Sequence, residues 1–211
     1  MGYTHSVTLD TEKCKGCTTC IKRCPTQAIR VRNGKAVING SLCIDCGECI
    51  RVCPYKAKKA SFDTFDEMDR NAFLIALPPP SLFGQFPTLE EPDQLVQALL
   101  DIGFDDVFEV AQAAEIATAF TLNYMKRGDI PSPLINSACP VIVRLIVMRY
   151  PSLCDHVFSL VQPMELAGRM AKQRALREHP ELKPEQIRTV FISPCPAKAT
   201  SSAGSRAIRR T

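Results

Sequence analysis

Eight of the chain's eleven cysteines lie between Cys14 and Pro54, in two runs that share one spacing. Cys14, Cys17, Cys20 and Cys24-Pro25 make the first, and Cys43, Cys46, Cys49 and Cys53-Pro54 repeat it 29 residues later. The form C-x2-C-x2-C-x3-C-P puts three thiols on one short loop and carries a fourth away. A proline that donates no backbone hydrogen bond follows it. Between the runs, Ile29-Arg30-Val31-Arg32 and Lys35-Ala36-Val37-Ile38 flank Asn33-Gly34, a hairpin signal that suits a type I′ turn. Structural zinc takes paired C-x2-C knuckles in a four-ligand set and leaves the third cysteine and the proline unexplained. Disulfides need an oxidising compartment, and no export signal is evident.

The doubled spacing resembles that of bacterial two-cluster ferredoxins, in which the fourth cysteine of each run ligates the other cluster. That resemblance implies two 4Fe-4S clusters. Cys14, Cys17, Cys20 and Cys53 hold one, and Cys43, Cys46, Cys49 and Cys24 hold the other. A cubane needs four thiolates, and the x2 intervals let one loop wrap three of them. Gly16 and Gly47 are expected at matching places of the two runs, where the backbone passes close to inorganic sulfur. Residues 1–60 are thus expected to form an α+β ferredoxin-like two-cluster module, joined by a linker at 61–71 to a second domain over 72–211.

Cysteine usage and the lack of an export signal point to a reduced, soluble, cytoplasmic protein that handles metal. No apolar run reaches the length of a membrane helix, and the longest candidate, Val141 to Met148, is interrupted by Arg144. Residues 1–60 carry 11 basic and 4 acidic side chains, whereas 61–130 carry 3 and 13. No basic stripe interleaved with aromatics accompanies this pattern, so nucleic acid is excluded and the charge blocks read as solvated faces. A redox partner protein is implied without being identified.

Beyond the connector the pattern becomes alternating strands and helices. Phe73–Leu77 is an apolar run stopped by Pro78-Pro79-Pro80, as a buried strand would be. Glu91-Pro92-Asp93 opens a helix with Leu95, Val96, Leu99 and Leu100 on one stripe, and Gly103 stops it. A strand is expected over 106–110, and a helix over 111–127 with Ile116, Phe120 and Tyr124 on one face. Further strands are expected at 133–136 and 188–192, and helices from Pro140 and over 163–178. Strands spaced by helices imply a partial α/β domain with a parallel sheet.

Cys139-Pro140 and Cys195-Pro196 each follow a predicted strand and open a helical turn. Carboxyl ends of parallel strands bind ligands, and a helix amino terminus favours a thiolate. The alternative is an inert buried thiol. Cys154 reads as a core residue, and His5, His156 and His179 as exposed residues with no ligand spacing.

These later motifs carry a second resemblance. Asn136-Ser137-Ala138-Cys139-Pro140, Ser193-Pro194-Cys195-Pro196-Ala197-Lys198 and Leu99-Leu100-Asp101-Ile102-Gly103-Phe104 are similar to segments of the iron-only (FeFe) hydrogenase large subunit. The likeness implies that Cys139 and Cys195 match cubane ligands of an H-cluster, and that Lys198 matches the lysine contacting a cyanide of the di-iron unit. Ala138 stands where the family has its proton-relay cysteine, and Ser193 where it has methionine, as in its regulatory, hydrogen-sensing branch. A third motif with two more cysteines is expected downstream but absent, and 201–206 reads as neither strand nor core, so the chain resembles a C-terminally truncated form. Electron transfer by two 4Fe-4S clusters fused to an incomplete hydrogenase-like domain is therefore the leading expectation. A hydrogen sensor or low-activity hydrogenase completed in a longer form, or a docking scaffold with an empty cluster site, are the alternatives.

Overall fold

The computed structural model describes residues 5–128 and 130–201, which fall into two compact units. The first comprises 5–65 with 139–157 and 194–201, and the second 66–138 with 158–193. Of the 201–206 stretch, all but Ser201 lies outside the described residues.

In the first unit the 29-residue sequence repeat is also a structural one. Strand β1 (Val7–Leu9), helix α1 (Thr19–Arg23) and strand β2 (Ile29–Arg32) recur as β3 (Lys35–Ile38), α2 (Glu48–Arg51) and β4 (Lys58–Ala60). The halves interlock, because β1 pairs antiparallel with β4 and β2 with β3. Asn33 and Gly34 have φ of 50° and 70°, the two positive values a type I′ turn requires, and Arg32 lies opposite Lys35. Val7, Ile29, Ala36 and Ala57 are buried together with Cys14 and Cys49 in this unit's core. Cys20, Cys24 and Cys53 pack against this small apolar centre, whereas Cys17 and Cys46 are exposed.

Backbone strain repeats as well. Gly16 and Asp45 have φ of 66° and 52°, Thr18 and Gly47 have 63° and 75°, and Gln27 and Lys56 have 55° and 49°. Contrary to expectation, Gly16 and Gly47 do not occupy matching places: each is matched across the repeat by a non-glycine residue. The left-handed φ alone does not require glycine at position 16, since Asp45 adopts it. What requires glycine is space, because a Cβ on Gly16 would lie 2.5 Å from the Gly34 carbonyl oxygen. Gly16→Ala is expected to cost about 1–3 kcal/mol by overpacking, read as a lower unfolding midpoint. An unchanged midpoint would show that the hairpin yields.

The second unit is built on a three-stranded parallel sheet of order β6-β5-β9. The elements run β5 (Phe73–Leu77), α3 (Pro80–Phe83), α4 (Pro92–Asp101), β6 (Asp106–Val107), α5 (Val110–Met125) and β7 (Ile135–Asn136). Helix α6 (Pro140–Arg149) belongs to the first unit and is followed by β8 (Val157–Phe158). Helix α7 (Pro163–Glu178) and β9 (Ile187–Phe191) then complete the sheet domain. Ile75, Leu77 and Ile187 are buried from the strands, and Ala167, Ala171 and Ala175 from α7. Alanines four apart share one face, and with no side chain beyond Cβ they let α7 lie close against Ala113 of α5 and against the sheet.

Two expectations are corrected here. The strand expected over 106–110 stops at Val107, and Val110 already opens α5. Phe108 and Val110 still donate to the Ala76 and Pro78 carbonyls, but Pro78, Pro79 and Pro80 have no N–H to return, so the ladder ends. The strand expected at 133–136 is reduced to Ile135–Asn136 and lies outside the parallel sheet. On α5 the buried residues are Val110, Ala113 and Ala117, whereas Ile116 and Phe120 are exposed. Phe120 and Tyr124 instead stack on Phe158, with centroids 6.3 and 4.5 Å away.

Candidate metal centre

Each cysteine loop begins in a left-handed turn and ends in a short helix, which draws its thiols around one concavity. The fourth cysteine of each run leaves at the helix end. Cys24 caps α1, and its Sγ accepts the Ala28 N–H at 3.2 Å. Cys53, its counterpart, accepts the Ala57 N–H at 3.3 Å. Because the repeats interlock, each departing thiol reaches the other half's concavity.

Two pockets result. Cys14, Cys17, Cys20 and Cys53 line one, and Cys43, Cys46, Cys49 and Cys24 line the other. The first is completed by Leu9, Val31 and Ala36, the second by Val7, Ile38 and Ile44.

The thiols of the two pockets are electrostatically unlike. A hydrogen bond from the Ala36 backbone (N to Sγ 3.4 Å) holds Cys14 below the usual thiol value, and the Thr19 hydroxyl does the same for Cys17. Burial raises Cys20. In the second pocket burial pushes Cys43 up to about 11, with help from the Asp45 carboxylate, and Cys49 up to about 12. Metal binding must remove those protons.

The residues present fit an iron–sulfur cluster. Backbone N–H groups donate to Cys14, Cys24 and Cys53, as thiolate ligands require. Lys58 supplies a second observation. It lines the first pocket, is only 3% exposed, and its Nζ has no hydrogen-bond partner among the described residues. A buried ammonium without a partner is costly, and a cubane with four thiolates carries net negative charge to face it.

Asp45 is a polar feature that sequence reading missed. It is fully buried between Cys43 and Cys46. Its carboxylate accepts the Val7 N–H at 3.3 Å and lies 2.9 Å from His5 Nδ1, 3.2 Å from the Thr200 hydroxyl and 3.7 Å from Arg144 Nη1. His5 is therefore neither isolated nor exposed, contrary to expectation. An acidic residue inside a C-x2-C loop was the available signal.

Of the later candidates, Cys139 is the exposed N-cap of α6, and Cys195 is half-buried ahead of a helical turn that starts at Pro196. Lys198 lies on that turn, half-buried. Each cysteine does open a helical turn, but neither joins a group of three ligand-bearing side chains within 4.8 Å among the described residues. Cys154, expected in the core, is exposed in the 3-10 turn Pro151–His156.

This interlocked repeat with two four-cysteine pockets defines an iron–sulfur protein. Residues 6–54 match the 4Fe-4S dicluster domain family. Residues 73–206 match the family "Iron only hydrogenase large subunit, C-terminal domain", and the chain belongs to that family. Ferredoxin-2 of Desulfomicrobium norvegicum is 49% identical over 37 residues, 18% of this chain and 59% of the ferredoxin. A solved FeFe-hydrogenase, studied for oxygen inactivation at the 2Fe subcluster of its H cluster, superposes with a TM-score of 0.52 at 22% identity. That match covers 65% of this chain and 38% of the hydrogenase. A variant of the FeFe-hydrogenase HydA1 from Chlamydomonas reinhardtii gives 0.51 at 23%, over 64% and 36%. The chain thus shares the hydrogenase fold while spanning less than half of those structures. No helix among the described residues is long and apolar enough to cross a membrane.

Proposed function

We propose that this chain is an electron-transfer protein that binds two 4Fe-4S clusters, one on Cys14, Cys17, Cys20 and Cys53 and the other on Cys43, Cys46, Cys49 and Cys24. The observation that carries this reading is the exchange of the fourth cysteine, which gives each pocket four thiols drawn from both halves of the repeat. When bound, the clusters supply one-electron chemistry at low potential. The chain's own part is to hold the thiolates, screen them from water with Val7, Leu9, Ile38 and Ala36, and donate backbone hydrogen bonds to sulfur. Anaerobically reconstituted protein is expected to contain about eight iron and eight sulfide and to become paramagnetic on reduction. Four or fewer iron after full reconstitution would overturn the proposal.

Cys139, Cys195 and Lys198 are proposed as the H-cluster-facing residues of the hydrogenase-like part, supported by the two cysteines' places ahead of proline-initiated helical turns. Hydrogen-dependent infrared bands of carbonyl and cyanide ligands in a matured, longer form would support a hydrogenase or sensor role. Iron content unchanged by Cys139→Ser with Cys195→Ser would instead favour a docking scaffold.

A further inference from the structure

The internal repeat supplies its own control for what surrounds each pocket. At the 29-residue offset Cys24 corresponds to Cys53, Ala28 to Ala57, and Ile29 to Lys58. Ile29, 2% exposed, lines the pocket of Cys43, Cys46, Cys49 and Cys24, and Lys58, 3% exposed, lines the pocket of Cys14, Cys17, Cys20 and Cys53. One position of the repeat is thus apolar beside one pocket and cationic beside the other. The Lys58 ammonium has no hydrogen-bond partner among the described residues. Antiparallel pairing of Lys58 with Leu9 fixes its backbone, so the side chain is aimed inward by the strand itself. Asp45 does not line the second pocket; its carboxylate lies behind it, 3.7 Å from Cys43 Sγ and facing His5 and Arg144.

We infer that Lys58 makes the two cluster sites unequal, so that the site of Cys14, Cys17, Cys20 and Cys53 is the more easily reduced and is where an electron entering the module comes to rest. This rests on the two-cluster reading above. The step is a one-electron transfer: a donor protein is oxidised, one cluster is reduced, and no bond is made or broken. Reduction adds negative charge to the site, and a buried cation beside it stabilises that charge in a low-dielectric setting.

The test is a redox titration of the holoprotein with dithionite, following the hyperfine-shifted β-proton resonances of the assigned cysteines so that each site is read separately. In the native chain the Cys14 set is expected to shift to its reduced position first. Lys58→Met should lower the reduction equilibrium constant of that site about tenfold, 59 mV for a one-electron couple, and that of the Cys43 set by less. Lys58→Arg should restore the native order, which a purely structural role for the side chain would not require. Ile29→Lys, the reciprocal change, should raise the Cys43 set and serves if Lys58→Met does not fold. Simultaneous reduction of both sets in the native chain, or equal shifts in Lys58→Met, would overturn the inference. Iron content, measured on the same samples, separates this outcome from failure of the two-cluster reading, which would appear as four or fewer iron.

Discussion

Replacing Cys53 with alanine is expected to remove the cluster bound by the other half of the module, taking iron from about eight to about four per chain. Cys53 follows Cys49 by four residues, so simple proximity would assign it to the Cys43, Cys46 and Cys49 loop. The fold sends it elsewhere, because α2 ends at Arg51 and Cys53 turns into the pocket lined by Cys14, Cys17 and Cys20. Three thiolates leave one cubane corner without protein ligand. Alkylation of the native-state protein followed by mass spectrometry identifies the vacated site. In Cys53→Ala, Cys14, Cys17 and Cys20 should take the label while Cys24, Cys43, Cys46 and Cys49 stay protected. Cys24→Ala should give the mirror pattern. Labelling of Cys43, Cys46 and Cys49 in Cys53→Ala would show that each run keeps its own cluster.

The duplicated half of the chain was largely legible from its residues, because its information is local. Spacing determines which thiols share a loop, Asn33-Gly34 sets the hairpin register, and proline and glycine mark the helix ends near Pro92, Gly103 and Gly128. Helix α7 matches its expected bounds for the same reason. Residues 106–110 do not reveal where β6 stops, because its end is decided by its neighbour: the three prolines after β5 cannot donate, and nothing within 106–110 records that. The exposed side of α5 misleads similarly, since Ile116 and Phe120 look like a core stripe while Ala113 and Ala117 are what the sheet domain buries. Cys139 and Cys195 were recognisable as motifs, but not their grouping with residues 5–65, which depends on partners far apart in sequence. In sequence Lys58 is one charge in a basic block; only its pairing opposite Leu9, a long-range contact, turns its side chain inward.

Asp45 illustrates that long-range dependence and carries the largest expected stability effect. Its partners include Val7 and His5, 38 and 40 residues away, Thr200, 155 away, and Arg144 on α6, so a single carboxylate ties three segments of the first unit together. The Thr200 hydroxyl is also 2.8 Å from Ser6 Oγ and accepts the Ser6 N–H at 3.1 Å, extending the network. Nearby, Pro196 approaches within 3.5 Å of where a Cβ on Gly47 would stand, so the Cys195 turn packs directly against the second cysteine loop. Asp45→Ala removes the acceptor used by the Val7 N–H and the Thr200 hydroxyl, and the buried negative charge that faces Arg144. Breaking a buried charged pair from one side costs about 3–5 kcal/mol. At about 2–4 °C per kcal/mol for a chain of this size, the melting temperature should fall by roughly 6–20 °C. Asp45→Asn keeps an acceptor for Val7 and Thr200 while losing the charge, so its loss should be smaller. Hydrogen exchange should quicken at 140–149 and 196–201 in Asp45→Ala, because those helices would lose their tie to the cysteine loop. A native melting temperature in Asp45→Ala, with unchanged exchange in both helices, would mean that packing alone holds these segments together.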